Sequence, residues 1–544
     1  MGTAQVGESH DYVIVGAGSA GCVLADRLTR HGRCSVLLLE AGPDDSHPYI
    51  KLPIGYGRLF FHPEFNWRYE TDAEPALAGR VSYWPRGRVV GGSSSINALV
   101  YCRGLPQDFD DWAAAGAAGW DWRAVRPHYE QIESRIAADG RRSGSGPLVV
   151  TDVSRRVHRT NRRFFDAARE IGLPLTEDFN GPSPEGVGCY AITLRGRLRC
   201  SAADAFLRPA LKRGSVRLMT GALVQRVLLE SGRATGVEFL RGGAVVRARA
   251  RREVILCAGA VNSPQLLQLS GIGPGALLAS LGIPVRHAND HVGGNLQDHV
   301  AVSYVYVAAG RTMNEELSPW WGKLWAGLRY VLAGTGPLGL GVNQCGGFVR
   351  SSPAAPRPDL QLYFVPMTYT TTQLPGKRQV VNPDPWPGFL ISFQPSRPTS
   401  RGRIDARSPR IEDAPAIRPN YLATEKDLAD VVAGGRLLQL LMRARPLKEF
   451  VREPVAPDIE SLDDAGLVED FRQRGGSVFH PVGSCRMARS DSEGVVDAGL
   501  RVFGVERLRV VDASAFPNLT SGNTNAPTLM LAHRAAEMIL GGAR

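Results

Sequence analysis

A run of β-branched and aromatic residues, Asp11-Tyr-Val-Ile-Val15, stops at Gly16-Ala-Gly-Ser-Ala-Gly21, and apolar positions at Leu24 and Leu28 then recur at helical spacing. A second apolar run, Ser35–Glu40, closes a strand, tight turn, helix, strand unit. Strand-like runs return at Gly236–Leu240, Glu253–Leu256 and Leu508–Asp512, which predicts one nucleotide-binding domain assembled from separated pieces. Between about 300 and 465 the pattern changes to alternation, at Ala301–Val307, Asp359–Val365, Phe389–Phe393 and Gly402–Ile404, broken by Pro-rich stretches such as Val381–Gly388. This reads as an antiparallel sheet with helices near Trp320–Leu332 and Lys426–Arg443. The Trp320–Leu332 segment carries few basic residues, so an internal helix or cavity wall is expected rather than a membrane-surface helix.

Composition changes this picture little. Over 544 residues, 43% hydrophobic and 22% charged side chains are ordinary globular usage, and the 61 Gly and 37 Pro are spread along the chain. The formal charge of +11 is mostly Arg interleaved with acids, without a motif that reads bases, so no nucleic-acid partner is expected. Eight Cys form no CxxC pair, which speaks against zinc and a disulfide framework and for a reducing, cytoplasmic setting. Met1–His10 has no apolar signal core, and no apolar run of about 18 residues suggests a membrane span. HExxH and GxSxG motifs are absent; no metal is expected.

The Gly16-x-Gly18-x-x-Gly21 spacing has a physical meaning in its strand-to-helix setting. Gly16 permits the turn, Gly18 lets backbone approach a pyrophosphate at the helix N-terminus, and Gly21 allows close helix–strand packing. Glu40 ends the next strand 19 residues beyond Gly21, where it can accept from a ribose diol. A dinucleotide site follows; NAD and FAD are not separated by this motif.

Three further segments separate them. Gly87-Arg-Val-Val-Gly-Gly-Ser-Ser-Ser-Ile-Asn97-Ala-Leu-Val-Tyr-Cys-Arg-Gly104 and Gly259-Ala-Val-Asn-Ser-Pro-Gln-Leu-Leu-Gln-Leu-Ser-Gly-Ile-Gly273 resemble the two fingerprints of the glucose–methanol–choline (GMC) oxidoreductases. Val292-Gly-Gly-Asn-Leu-Gln-Asp-His299 is similar to another stretch of that family, and the resemblance spans essentially the whole chain. It implies an α/β fold, α+β overall, with a Rossmann-like FAD domain in discontinuous pieces (1–155, 196–300 and 466–544) and a substrate domain (156–195 and 301–465) whose sheet is mostly antiparallel. It also implies that FAD is held by Gly16, Gly18, Ser19, Ala20, Gly21, Glu40 and Ala41 of the first motif. Arg88, Gly91, Gly92, Ser93, Asn97, Ala98, Leu99 and Val100 of the first fingerprint are implied next, then Val224, Ala258, Gly259, Asp512, Ala513, Asn523, Asn525 and Pro527. Where some members tether the flavin through a His before the Asn, this chain has Ile96, so non-covalent FAD is expected.

Val478-Phe-His480-Pro-Val-Gly-Ser-Cys-Arg-Met487 resembles the family segment whose His faces the flavin, and Ser521-Gly-Asn523 the one carrying its partner. Alcohol oxidation moves a hydride to the flavin while the hydroxyl loses a proton, so a base titrating near neutrality and a hydrogen-bond donor should meet at one oxygen. His480 is the expected base and Asn523 the expected donor; His299 is expected to support packing near the flavin.

The expected reaction is oxidation of a small-molecule primary alcohol to an aldehyde, the flavin being reoxidised by a quinone-like acceptor or by O₂. The texture resembles the bacterial choline and aliphatic-alcohol dehydrogenase branch and favours the acceptor-dependent form; a peripheral membrane contact stays open. Trp320, Trp321, Trp325, Tyr363, Phe364 and Phe479 are candidates to line a pocket for flat aryl alcohols, and Cys345 is a further candidate lining residue. A choline substrate would need an aromatic cage with a carboxylate, which the sequence does not place. The alternative is a non-redox or light-driven member, a hydroxynitrile lyase or a fatty-acid decarboxylase; no basic anchor for a fatty-acid carboxylate is evident.

Overall fold

The computed structural model of the chain describes residues 5–374 and 378–542. The N-terminal pattern folds as β1 (Gln5–Val15), α1 (Ser19–Thr29) and β2 (Val36–Leu39), and the chain later contributes β3 (Gly186–Cys189) to a second sheet. It returns with β4 (Val216–Met219), β5 (Leu223–Glu230), β6 (Arg233–Arg241), β7 (Ala244–Leu256) and α2 (Gly259–Leu269). It then crosses again with β8 (Val300–Ala308), α3 (Trp320–Ala333), β9 (Cys345–Val349), β10 (Leu360–Val365), β11 (Gly388–Pro395), α4 (Glu425–Arg443) and β12 (Val451–Val455). β13 (Leu508–Val510) and α5 (Asn525–Gly541) complete the first layer.

The first sheet has seven strands in the order β4-β2-β1-β7-β6-β5, with β13 beside β7. Its centre is parallel, β1 lying between β2 and β7, with α1 packed against β1 and β2 and α5 packed on α1. All four residues of β2 are buried, as a strand covered on both faces requires. The long β7 serves two neighbours on one edge: Ala244–Arg249 pairs antiparallel with β6, and Val254–Leu256 pairs parallel with β13. β1 begins at Gln5, six residues earlier than its apolar run, because the polar Gln5–His10 stretch is carried along the edge of β7.

The second sheet, also of seven strands, runs β12-β8-β11-β10-β9-β3, antiparallel throughout, with residues 476–477 added beside β8. β8 alternates buried and half-buried positions, whereas β10 and β11 are buried along their whole length beneath α4 and the cavity between the sheets. The predicted strand at Gly402–Ile404 forms as Arg403–Asp405 but pairs with Ala416–Arg418, outside this sheet. A smaller five-stranded sheet takes strands from 133–151 and from 192–199, so it crosses the divisions at 155/156 and 195/196 without a break in hydrogen bonding.

Helix α3 overturns its expected place. Trp320, Trp321, Leu324, Trp325, Leu328, Val331 and Leu332 are exposed, and only Ala326 and Tyr330 are buried, so the helix is an outer one. Among the described residues no helix is long and apolar enough to cross a membrane.

Candidate active site

Between the two sheets lies a cavity of about 1080 Å³, at the upper end of the range for single drug-sized ligands. Three helix N-termini open onto it, at Ser19 of α1, Gly259 of α2 and Asn525 of α5. Ser19 Oγ donates to Asn525 Oδ1 at 2.7 Å and ties two of these ends together. The N–H groups and aligned dipoles at the α1 and α5 ends suit a pyrophosphate, whereas the Gly259 N–H of α2 donates to the Asp512 carboxylate at 2.9 Å. A Cβ on Gly18 would meet no protein atom nearer than 3.9 Å, so the space this glycine leaves faces the cavity. One on Gly92, at φ +54°, would come within 2.7 Å of Gly18 Cα, so the two glycine loops touch at the phosphate end.

Glu40, at the end of β2, is buried against the cavity. It accepts from the N–H groups of Ala17 (3.0 Å) and Gly42 (2.9 Å), yet burial pushes its carboxyl up to about 7. Each oxygen has further acceptor capacity for a ribose hydroxyl. A dinucleotide therefore fits this half of the cavity, with the glycine cradle under the phosphates and Glu40 under the sugar.

Most of the sequence-predicted cofactor residues line the cavity: Gly16, Gly18, Ser19, Ala20, Glu40, Ala41, Gly92, Ser93, Asn97, Ala98, Leu99, Val100, Val224, Ala258, Gly259, Asp512, Ala513, Asn523 and Asn525. Four do not, and each has a structural task. A Cβ on Gly21 would sit 2.0 Å from the Gly16 carbonyl oxygen, so Gly21 serves helix–strand packing. Gly91 turns at φ +87° and donates to the Ala17 carbonyl at 2.7 Å. The Arg88 guanidinium lies over the Trp67 ring, and its charge moderates the rise of the Glu40 pKa. Pro527 is buried in the first turn of α5, where a missing N–H costs nothing. Asp512 lines the cavity and also clamps α2 to the chain end, accepting from Gly259 N, Ser263 Oγ, Ser514 N and Ser514 Oγ.

At the other end of the cavity, the structure brings His480 and Asn523 together and adds His299 behind them. The Ser396 carbonyl lies 3.0 Å from His299 Nε2, the two Nδ1 atoms of His299 and His480 are 3.0 Å apart, and Asn523 Nδ2 is 3.0 Å from His480 Nε2. A carbonyl can only accept, so His299 carries its proton on Nε2 and offers Nδ1 as acceptor. His480 then donates from Nδ1, which leaves its Nε2 lone pair facing Asn523 and the cavity. Asn523 Oδ1 is buried without a hydrogen-bond partner. His299, expected as packing, is thus a hydrogen-bond partner of His480.

The turn that aims His480 is strained and tightly held. Phe479 sits at φ +71°, its N–H donates to Ser477 Oγ (2.8 Å), and its carbonyl accepts from Arg86 Nη2 (2.5 Å). Asp298 accepts from His480 N (2.8 Å), Tyr421 Oη (2.6 Å) and Ser477 Oγ (2.5 Å), and burial pushes its carboxyl up to about 6. The His480 imidazole does not titrate near neutrality as expected. Burial, with His299 and the Arg86 charge adding to it, holds it well below the usual imidazole range.

The cavity is lined also by the apolar Phe60, Leu317, Val342, Met367 and Leu390 and by Tyr363, with the polar Ser303, Asn343 and Ser392 among them. Phe479 lines it too, but Trp320, Trp321 and Trp325 lie on the outer surface, and Phe364 stacks on Phe164 in the core behind. Cys345 is also off the wall: its thiol faces that of Cys189 at 3.0 Å across paired strands. Glu40 and Asp512 are the only lining carboxylates among the described residues, and both belong to the cofactor half, whereas Arg58, Arg86, Lys323 and Arg474 also line the cavity. Arg474 is committed to Asp470 by two contacts of 2.6 Å.

Elsewhere His128, which the sequence leaves without a partner, meets His533 at 3.0 Å with Glu537 nearby. The Arg27 and Arg534 guanidiniums beside this group oppose a cation, and burial with those charges lowers His128 to about 4.

Comparison with known proteins finds two matching family models, both described as GMC oxidoreductase, over residues 10–301 and 398–532. The human mitochondrial choline dehydrogenase is 41% identical, covering 98% of this chain and 90% of that protein. The alcohol dehydrogenase [acceptor] of Pseudomonas putida is 38% identical, covering 98% of this chain and 96% of that one. Among solved structures, pyridoxine 4-oxidase from Mesorbium loti superposes with a TM-score of 0.86 at 30% identity, over 98% of this chain and 99% of that one. A likeness that runs the length of full-size relatives, with a cavity shaped for a dinucleotide, leads to one conclusion: the chain belongs to the GMC oxidoreductases, FAD-dependent enzymes acting on CH–OH donors.

Proposed function

We propose that the chain oxidises an uncharged, largely apolar primary alcohol to its aldehyde, with His480 as the base and Asn523 holding the reacting oxygen. The observation that carries this is the acceptor face of His480 Nε2, presented to the cavity beside an amide donor. The alcohol hydroxyl would take the place of one partner in the present Nε2 to Nδ2 contact, giving its proton to His480 while Asn523 Nδ2 donates to the same oxygen. Acceptance of the hydride is the chemistry FAD supplies when bound. The Ser396–His299 chain keeps the His480 proton on Nδ1 until Nε2 receives the second. We propose a quinone-like compound as electron acceptor in preference to O₂.

Several relatives are choline dehydrogenases, and a quaternary ammonium needs a counter-charge in its cage. Among the described residues the only lining carboxylates are Glu40 and Asp512 of the cofactor half, and cations line the wall, so an apolar alcohol fits better than choline. Anaerobic addition of aliphatic and aryl alcohols is expected to bleach the flavin band, choline to leave it unchanged, and air to restore the colour only slowly. Bleaching by choline alone would overturn the substrate reading, and fast recolouring in air would overturn the acceptor.

Ile96 lines the cavity where a tethering side chain would stand, and a saturated hydrocarbon offers no atom for a flavin bond. We therefore propose that the flavin is non-covalent. Acid precipitation should leave the yellow chromophore in solution, and colour held in the washed pellet would count against this.

The depressed pKa of His480 has a definite sign in the pH profile. The neutral imidazole is the base, so lowering its pKa keeps the enzyme competent on acidification, and kcat/KM is expected to hold from slightly alkaline pH down through 6.5 with its acidic limb below that value. A limb at or above 6.5 would show that His480 is not held as described.

A further inference from the structure

Helix α3 turns its apolar side away from the protein. At about 100° per residue, Trp320, Trp321, Leu324, Trp325, Val331 and Leu332 fall within an arc of about 140°. Each is exposed, Trp320 by 73% and Leu332 by 77%, and Leu328 in the same arc is 44% exposed. The opposite side holds the helix in place: Ala326 and Tyr330 are buried, and Tyr330 Oη donates to the Arg197 carbonyl at 2.5 Å. Arg197 in turn donates to the Val331 carbonyl at 2.6 Å and satisfies the last turn. This is a well-anchored helix with a contiguous uncovered apolar face, of the kind that marks an interaction site.

The chemistry of its rim says what covers that face. Lys323 and Arg329 flank the apolar arc on its two sides, Arg329 within 3.6 Å of Glu316 on the preceding short helix, and the 14-residue helix itself carries no acidic side chain. Three indoles at one surface, bordered by cations, suit the boundary between anionic headgroups and acyl chains. A second copy docked face to face would present the same two cations, and Glu316, the acid that meets Arg329, is already engaged within its own copy. The same face adjoins the cavity: Lys323, Arg58 and Tyr369 both line the cavity and are exposed, so it opens to the surface along α3.

We propose that α3 docks the enzyme on an anionic lipid bilayer, its apolar face lying in the headgroup–acyl boundary and the cavity opening onto the membrane. An apolar alcohol or a quinone-like acceptor dissolved in the lipid would then reach the cavity without crossing water. The docking stands on α3 alone, and only the identity of what enters rests on the function proposed above.

The test is co-sedimentation of the flavin-loaded enzyme with vesicles of phosphatidylcholine, with and without phosphatidylglycerol. The enzyme is expected to pellet with the anionic vesicles and to be released by high salt. Leu324→Glu and Trp325→Glu, made separately at exposed positions outside the cavity wall, should each weaken vesicle binding at least tenfold while alcohol bleaches the flavin at the wild-type rate in buffer. Wild-type enzyme left in the supernatant with both vesicle types would overturn the proposal, as would variants that pellet as well as wild type. A concentration-dependent dimer without vesicles, abolished by either variant, would assign the face to a second copy and overturn it too. Enzyme that pellets but is bleached by no alcohol would sink the redox reading and leave the docking standing.

Discussion

A backbone carbonyl that can only accept a hydrogen bond decides where the protons sit in this cavity. The Ser396 carbonyl, at the end of β11, takes the His299 proton on Nε2, and each later bond in the chain follows from that one choice. Burial makes the choice binding: a second proton on either ring would place a charge beside Arg86 and Arg397 in a dry interior, and His299 is held down to about 4 by burial despite its carbonyl partner. The outcome is a neutral imidazole whose lone pair has a single direction to face.

That arrangement depends on two sheets made from interleaved pieces of chain. Ser396 comes from the antiparallel layer, His480 from the connection back to the first layer, and Asn523 from the turn before α5. The parallel layer meets them with three helix N-termini, so the same cavity has a phosphate-binding end and a proton-handling end. Asp512 joins the two functions physically, since its carboxylate holds both the α2 N-terminus and the Ala513–Ser514 turn. Gly18 and Gly92 press together on the first side, and the strained Phe479 turn is braced by Arg86 on the other.

How much of this was legible in the sequence follows from how local each constraint is. The Gly16–Gly21 turn and Glu40 could be read because a tight turn, a close backbone approach and a strand-end carboxylate need those residue types whatever surrounds them. The parallel centre of the first sheet could be read from its unbroken apolar runs. The polar beginning of β1 could not, because it is held by pairing with β7 and not by its own pattern. The bond between His299 and His480 joins residues 181 apart, so no spacing announces it, and the depression of the His480 pKa comes from burial that only the assembled layers create. Helix α3 was misplaced for a related reason: an apolar stripe tells that a face is sticky, and only packing tells which side the protein itself covers.

The most direct test of the account is the rate of anaerobic flavin bleaching by alcohol in His480→Ala, measured by rapid mixing on protein that retains its bound FAD. Loss of the positioned base should slow this step by ~10²–10⁴-fold while leaving the flavin content at the wild-type level. A variant that bleaches at a rate close to wild type would contradict the account, because the proton would then leave by a route that the Ser396–His299–His480 chain does not control.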